Sequence, residues 1–102
     1  TSSRETRDMP RYLIQRNFGQ QDDAEMAVIG QDSKRIIAEH CPDIVWEISH
    51  VVSNESGEIK TFCIYTAPNE DRIREHASLL GRHHIDTIYE IGGQVSPADF
   101  PA

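Results

Sequence analysis

The sequence predicts an α+β fold in which one four-stranded antiparallel sheet carries two helices on a single face. Three observations support this prediction. Four segments alternate in polarity or are rich in β-branched and aromatic residues, as strands are. In two other segments, residues that favour the start of a helix are followed by apolar residues at helical spacing. Together they follow the order β-α-β-β-α-β, which is that of the ferredoxin-like, or split β-α-β, arrangement.

The first strand is predicted over residues 11–18, where polar and apolar side chains alternate. One of its two faces carries Tyr12, Ile14, Arg16 and Phe18. The alternation indicates a strand with one face toward the core.

The first helix begins after Asp22, because an aspartate followed three residues later by Glu25 has the pattern of a capping box. Pro42 sets its limit, since the residue before a proline is disfavoured in helical conformation. Gly30 lies in the middle and is a weak helix former, so a break near this residue stays open as an alternative.

A hairpin and a second β-α unit complete the predicted fold. Residues 44–53 and 59–66 are β-branched and aromatic and flank a turn, so they predict the hairpin. The second helix starts at residues 68–71, where acidic groups follow a proline, and stops at Gly81. Residues 85–91 predict the last strand.

We expect one domain over residues 9–95, between a disordered arm at residues 1–8 and a loose tail at residues 96–102. The arm is polar and charged, and the tail follows two glycines and contains two prolines. Neither segment offers apolar side chains at a regular spacing that a core would require.

The composition excludes several classes of function. The 102 residues carry a net charge of −7, and no basic stripe occurs, so nucleic-acid binding is not expected. No apolar run approaches the roughly 20 residues of a membrane span. Since no secretory signal precedes the predicted fold, we expect a cytoplasmic location and read Cys41 and Cys63 as reduced thiols.

The predicted hairpin register brings together residues suited to a metal ion. Centring the turn on Ser56 and Gly57 sets His50 opposite Cys63, on the face toward the helices. The second helix presents His76 on its inward stripe, so the three side chains are predicted to converge. Two imidazoles and a thiolate suit zinc, copper or nickel, because these ions accept nitrogen and sulfur together.

The alternative is an ordinary core, because a buried cysteine packs as a small hydrophobe and an inward histidine is often satisfied by hydrogen bonds. His83 and His84 form a second candidate, although neighbouring imidazoles in a loop are mostly solvated. No recognised catalytic motif occurs in the sequence, so no catalytic residue is assigned. Glu75 and Glu90 are the carboxylates considered as bases, but most carboxylates are simply solvated.

Three segments carry a resemblance to a known family: residues 9–14 (MPRYLI), 61–68 (TFCIYTAP) and 73–77 (IREHA). Together they resemble a family of small bacterial domains of unknown function that includes a nickel-binding member. The resemblance covers about residues 9–91. It implies a ferredoxin-like fold, a dimer, and nickel binding that serves sequestration.

Two expectations about partners follow. Val51, Phe62 and Ile64 are predicted to form an apolar stripe on the sheet face without helices, and such a face normally finds a partner, so we expect a homodimer. A rival to metal binding is a dimer whose sheet encloses a pocket for a small organic ligand or substrate. That rival rests on analogy with other proteins of this fold, and Tyr12, Tyr65 and Tyr89 are aromatic residues that could line the pocket.

Overall fold

The structure is a computed structural model that describes residues 9–100. Its sheet has the strand order β2-β3-β1-β4, and every neighbouring pair is antiparallel. This confirms the predicted α+β, ferredoxin-like arrangement. The predicted arm at residues 1–8 and the last two residues of the predicted tail lie outside the described residues. The elements are β1 Arg11–Gly19, α1 Asp23–His40, β2 Val45–Ser53, β3 Ile59–Thr66, α2 Glu70–Leu80, β4 His84–Glu90 and a 3-10 turn, Pro97–Asp99.

The capping box predicted for α1 is formed. Asp22 Oδ1 accepts a hydrogen bond from the Glu25 amide at 2.7 Å, and Glu25 Oε1 accepts one from the Asp22 amide at 2.8 Å. The helix then passes Gly30 without a break, so the alternative of a break near this residue is wrong. Its buried face, with Ile29, Ser33 and Ile36, gives tertiary packing that outweighs the low helix propensity of one glycine.

The predicted limits of α2 are confirmed. Asn69 caps its start by accepting a hydrogen bond from the Arg72 amide at 3.0 Å, and Gly81 ends it with a φ of +66°. The buried stripe of the helix is Ile73, His76 and Leu80, as the three- and four-residue spacing predicts. Neither described helix is both long enough and apolar enough to cross a bilayer.

The register between β2 and β3 differs from the prediction. Ser49 pairs with Cys63, and His50 pairs with Phe62, so the expectation that His50 and Cys63 are cross-strand neighbours is wrong. The turn is a five-residue loop rather than one centred on two residues: the Asn54 amide donates to Glu58 O at 3.0 Å. Asn54 Oδ1 stabilises this loop by accepting hydrogen bonds from two amides within it, at 3.0 and 2.9 Å.

A β-bulge between Trp46 and Ile48 shifts the register by one further residue, so Trp46 pairs with Tyr65 and the two share the helix-covered face, as expected for that face. Between the bulge and the turn every β2 side chain points to the face opposite the predicted one. Val51 therefore lies with Thr61 on the face that the helices cover, which corrects its placement on the bare face. The bare face carries Ile48, Phe62 and Ile64.

The main core lies between the sheet and the helices. Ile14 from the centre of β1 and Ile73 from α2 are fully buried in it, and the two tyrosines of neighbouring strands, Tyr12 and Tyr65, pack beside them. A second cluster forms around Phe18, Ile29 and the end of α2. On the helix-covered side the structure also buries four polar side chains: Arg16, Ser33, Thr61 and His76.

Candidate functional site

The structure separates the three residues predicted to bind a metal. Cys63 and His76 are buried on the helix-covered side of the sheet, whereas His50 is exposed on the opposite face. Within residues 9–100, no group of three or more histidine, cysteine or acidic side chains is close enough to hold an ion. The described part of one chain therefore offers two of the three residues on one side, and their role as ligands stays a prediction.

His76 is a neutral, partly unsatisfied imidazole in the core. Its Nε2 lies 3.0 Å from Ser33 Oγ, while its Nδ1 has no hydrogen-bond partner among the described residues. Burial, followed by the positive charge of Arg16, lowers its pKa from 6.5 to about 4, so the ring is uncharged at neutral pH. In the tautomer whose Nε2–H donates to Ser33, Nδ1 keeps a free lone pair.

Cys63 belongs to a chain of polar contacts that starts on β2. Trp46 Nε1 donates to Ser49 Oγ at 2.9 Å, and Ser49 Oγ donates to Cys63 Sγ at 2.9 Å. The thiol in turn lies 3.4 Å from Thr61 Oγ1. Both Cys41 and Cys63 are free thiols, as expected. Cys41 closes the C-terminus of α1, and burial raises its pKa, which disfavours the reactive thiolate form.

The most unusual residue on this side of the sheet is Arg16, whose side chain is only 1 % exposed. Its Nη1 lies 3.1 Å from His83 Nε2, and its guanidinium carbon lies 5.0 Å from the centre of the Tyr65 ring. Nε and Nη2 have no hydrogen-bond partner among the described residues. No described carboxylate forms an ion pair with this guanidinium.

His83 holds one side of the Arg16 guanidinium. Its Nδ1 lies 2.7 Å from the Gly81 carbonyl oxygen, which can only accept, so Nδ1 carries the proton and Nε2 accepts from Arg16. The ring also stacks on Phe18 with a centroid distance of 4.7 Å. Burial lowers the pKa of His83, and the charge of Arg16 lowers it further, so it too is neutral at pH 7.

A cavity of about 270 Å³ lies beside these groups, between α1 and the sheet. Apolar side chains form most of its wall, and Arg16 and Cys63 contribute polar groups. Cys63 therefore belongs both to the cavity wall and to the chain of polar contacts that begins at Trp46. The apolar part of the wall includes Phe18, Met26, Ile29, Trp46 and Leu80.

The other candidate residues lie elsewhere. His84 is 69 % exposed and its Nε2 lies 3.0 Å from Asp86 Oδ1, so the two neighbouring histidines do not share a site. Glu75 and Glu90 are exposed, as carboxylates usually are. Tyr12 is buried in the core and Tyr89 is exposed; of the three tyrosines named, Tyr65 alone borders the cavity.

Sequence reasoning did not assign a role to Arg16. A signal was present, because a charged residue stands at an inward position of β1 between Ile14 and Phe18. Ser33 offered no such signal, since a serine in a helix is ordinary, and His83 was considered only together with its neighbour His84. Their proximity to His76 and Arg16 depends on how the helices pack.

The comparison with family models agrees with the resemblance noted in the sequence. A family described as "Nickel responsive protein SCO4226-like" matches residues 12–91, which include the two helices and nearly all of the sheet. Neither the comparison with curated proteins nor the comparison with solved structures found a match. The chain therefore belongs to the SCO4226-like family of nickel-responsive proteins.

Proposed function

We propose that this protein binds nickel and acts in handling or sequestering the ion. The observation that carries the proposal is membership of a family described as nickel-responsive, over most of the chain. The donor chemistry of the buried side chains is compatible with it, because nickel accepts imidazole nitrogen and thiolate sulfur. Zinc and copper accept the same donors and are the alternatives to be tested.

Cys63 and His76 are the proposed inner ligands. His76 is already neutral at physiological pH, and its Nδ1 has no partner among residues 9–100, which suits a metal donor. Two donors are too few for a tight site. Water or donors from a second copy of the chain would complete the coordination.

His50 is proposed as a ligand that acts from the other face of the sheet. It lies near Ile48, Phe62 and Ile64, the apolar side chains through which we propose that two copies associate. In such a homodimer His50 would meet residues of the second copy rather than Cys63 of its own chain. A nickel site inside one chain and a nickel site between two copies therefore predict different effects of substituting the ligands on nickel binding.

Arg16 sets a condition on metal binding near Cys63. A divalent cation in the cavity meets the positive guanidinium in surroundings of low dielectric constant, where repulsion is stronger than in water. Binding there requires Cys63 to lose its proton, because the thiolate charge offsets part of the repulsion. Nickel affinity on this side should therefore rise with pH.

The test is metal analysis and calorimetric titration of protein prepared without a histidine tag. We expect stoichiometric nickel that Cys63→Ser and His76→Ala abolish if the ion lies inside, and that His50→Ala abolishes if it lies between copies. His84→Ala is the matched control, since His84 is exposed and pairs with Asp86. A wild-type protein that takes up none of the three ions contradicts the proposal, as does nickel binding that none of the three ligand variants alters.

A further inference from the structure

We infer that the cavity between α1 and the sheet binds a small organic monocarboxylate, whose charged group pairs with Arg16 and whose apolar body contacts the cavity wall. This inference goes beyond nickel binding, and it gives the small-ligand alternative a specific chemistry. It rests on three features: an uncompensated buried charge, the orientation of its free donors, and the shape and polarity of the cavity.

The first feature is the charge itself. A guanidinium is always protonated in proteins, and burying it without a counter-ion is costly. Arg16 is 1 % exposed, and among the described residues the only other charged side chain that lines the cavity is Asp23, which lies on an exposed part of α1. The Tyr65 ring compensates only part of the cost, since a cation–π contact contributes a small share. A bound anion would supply the missing partner.

The second feature is which donors remain free. His83 accepts from Nη1, and its own Nδ1–H donates to the Gly81 carbonyl, so it cannot turn into a donor toward Arg16. The unpartnered nitrogens, Nε and Nη2, carry the two N–H groups on the side edge of the guanidinium, which point the same way. A carboxylate accepts two such parallel hydrogen bonds, whereas a single-atom anion cannot use both equally well.

The third feature is the cavity. Its volume of about 270 Å³ is near the lower end for small-molecule sites, and its wall is mainly apolar, with hydroxyl groups of Ser33, Ser49 and Thr61 at a few points. An apolar wall favours a hydrocarbon body on the ligand. One buried cation, with Asp23 as the other charged lining residue, favours a monoanion over a polyanion such as a nucleotide phosphate.

Access to Arg16 requires a small rearrangement. Nε and Nη2 are sealed from solvent in this conformation, so a ligand must move wall side chains to reach them. Met26 borders the cavity and is unbranched and flexible, which makes it the side chain best suited to yield. Trp46 also borders the cavity and is the only tryptophan of the chain, so its fluorescence reports on the change.

The test uses wild-type protein in metal-free buffer with phenylacetate, followed by Trp46 fluorescence and calorimetry. We expect saturable binding of phenylacetate, and at least roughly tenfold weaker binding of 2-phenylethanol, which has the same body without the charge. Inorganic phosphate and chloride should not compete at comparable concentration. Equal affinity for phenylacetate and 2-phenylethanol, or no binding of either, overturns the inference whether or not the protein binds nickel.

Arg16→Met keeps an unbranched, apolar stem and removes the charged guanidinium. We expect it to fold, because an unpaired buried charge is replaced by an apolar group, and to bind phenylacetate roughly a hundredfold more weakly. Arg35→Met is the matched control, since Arg35 is exposed on the outer side of α1 and should leave binding unchanged. Undiminished binding by Arg16→Met overturns the inference. If that variant does not fold, the wild-type Arg16 Nε–H resonance decides, because phenylacetate and not 2-phenylethanol should shift it.

Discussion

Acidification should destabilise this protein through His76, and the effect can be measured by comparing the wild type with His76→Gln. Burial lowers the pKa of His76 from 6.5 to about 4, so the unfolded chain takes up a proton in this range that the folded protein does not. The stabilising contribution is complete above pH 6.5 and is lost as the pH falls toward 4. Each pH unit of the interval corresponds to about 1.4 kcal/mol, which gives a loss of about 3 kcal/mol by pH 4.

The assay is urea unfolding at pH 7, 6, 5 and 4, followed by Trp46 fluorescence and by circular dichroism. His76→Gln should be less stable than the wild type at pH 7, since it alters a fully buried side chain that contacts Ser33. The difference in the free energy of unfolding should shrink by about 3 kcal/mol between pH 7 and pH 4, because glutamine does not titrate. Using the difference removes the contribution of His83, whose pKa is also lowered and which acts in the same direction.

His84→Gln is the matched control, because His84 is 69 % exposed. At pH 7 its free energy of unfolding should lie within about 0.5 kcal/mol of the wild-type value, because the substitution changes an exposed side chain. The reasoning about His76 is refuted if the wild type and His76→Gln lose stability in parallel from pH 7 to pH 4. Such a result would mean that the folded protein accommodates a proton on His76 as readily as the unfolded chain does.

Four further outcomes are expected. Nickel at a hundredfold excess over its dissociation constant should stabilise the folded protein by about 2.7 kcal/mol and raise the melting temperature by roughly ten degrees, and Cys63→Ser should remove most of this shift. Asp22→Ala should cost about 0.5–2 kcal/mol in urea unfolding, because it removes the side chain that caps α1; an unchanged midpoint would contradict that role. Ile73→Ala should lower the free energy of unfolding by about 2–5 kcal/mol and Ile73→Val by about 0.5–1.5 kcal/mol, since Ile73 is fully buried. Equal losses would show that the surrounding core closes over the cavity that alanine leaves. Sedimentation should give a dimer at micromolar concentration and a monomer for Phe62→Lys; a wild-type monomer would remove the proposed role of the bare sheet face.

The order and limits of the secondary-structure elements could be predicted because they depend on local chemistry. Asp22 and Glu25 form the capping box within one turn of chain, and Asn69 and Gly81 bound α2 by contacts inside the helix and its ends. The alternation in β1 depends only on the two-residue period of a strand. Each of these signals lies within a few residues of the feature that it predicts.

The candidate site could be predicted only in part, since the direction of a helix side chain and the direction of a hairpin side chain depend on different features of the sequence. His76 faces inward because of helical spacing, which the sequence displays directly. The side of the sheet to which His50 points depends on the hairpin register, and a shift of one residue reverses it. That shift came from the Asn54 side chain, which stabilises a five-residue loop where the sequence predicted a turn centred on two residues.

By itself, then, the sequence determined an α+β chain with the β-α-β-β-α-β order and two capped helices, because these follow from neighbours along the chain. Only the tertiary structure decided that Cys63 lies apart from His50, and that Arg16 is buried beside His83 without a carboxylate partner among the described residues. The physical reason is that a side chain's solvation and charge partners are set by segments distant in sequence. The same arginine in β1 would be a solvated residue if the helices left that side of the sheet open. It becomes a candidate binding group because the helices cover it.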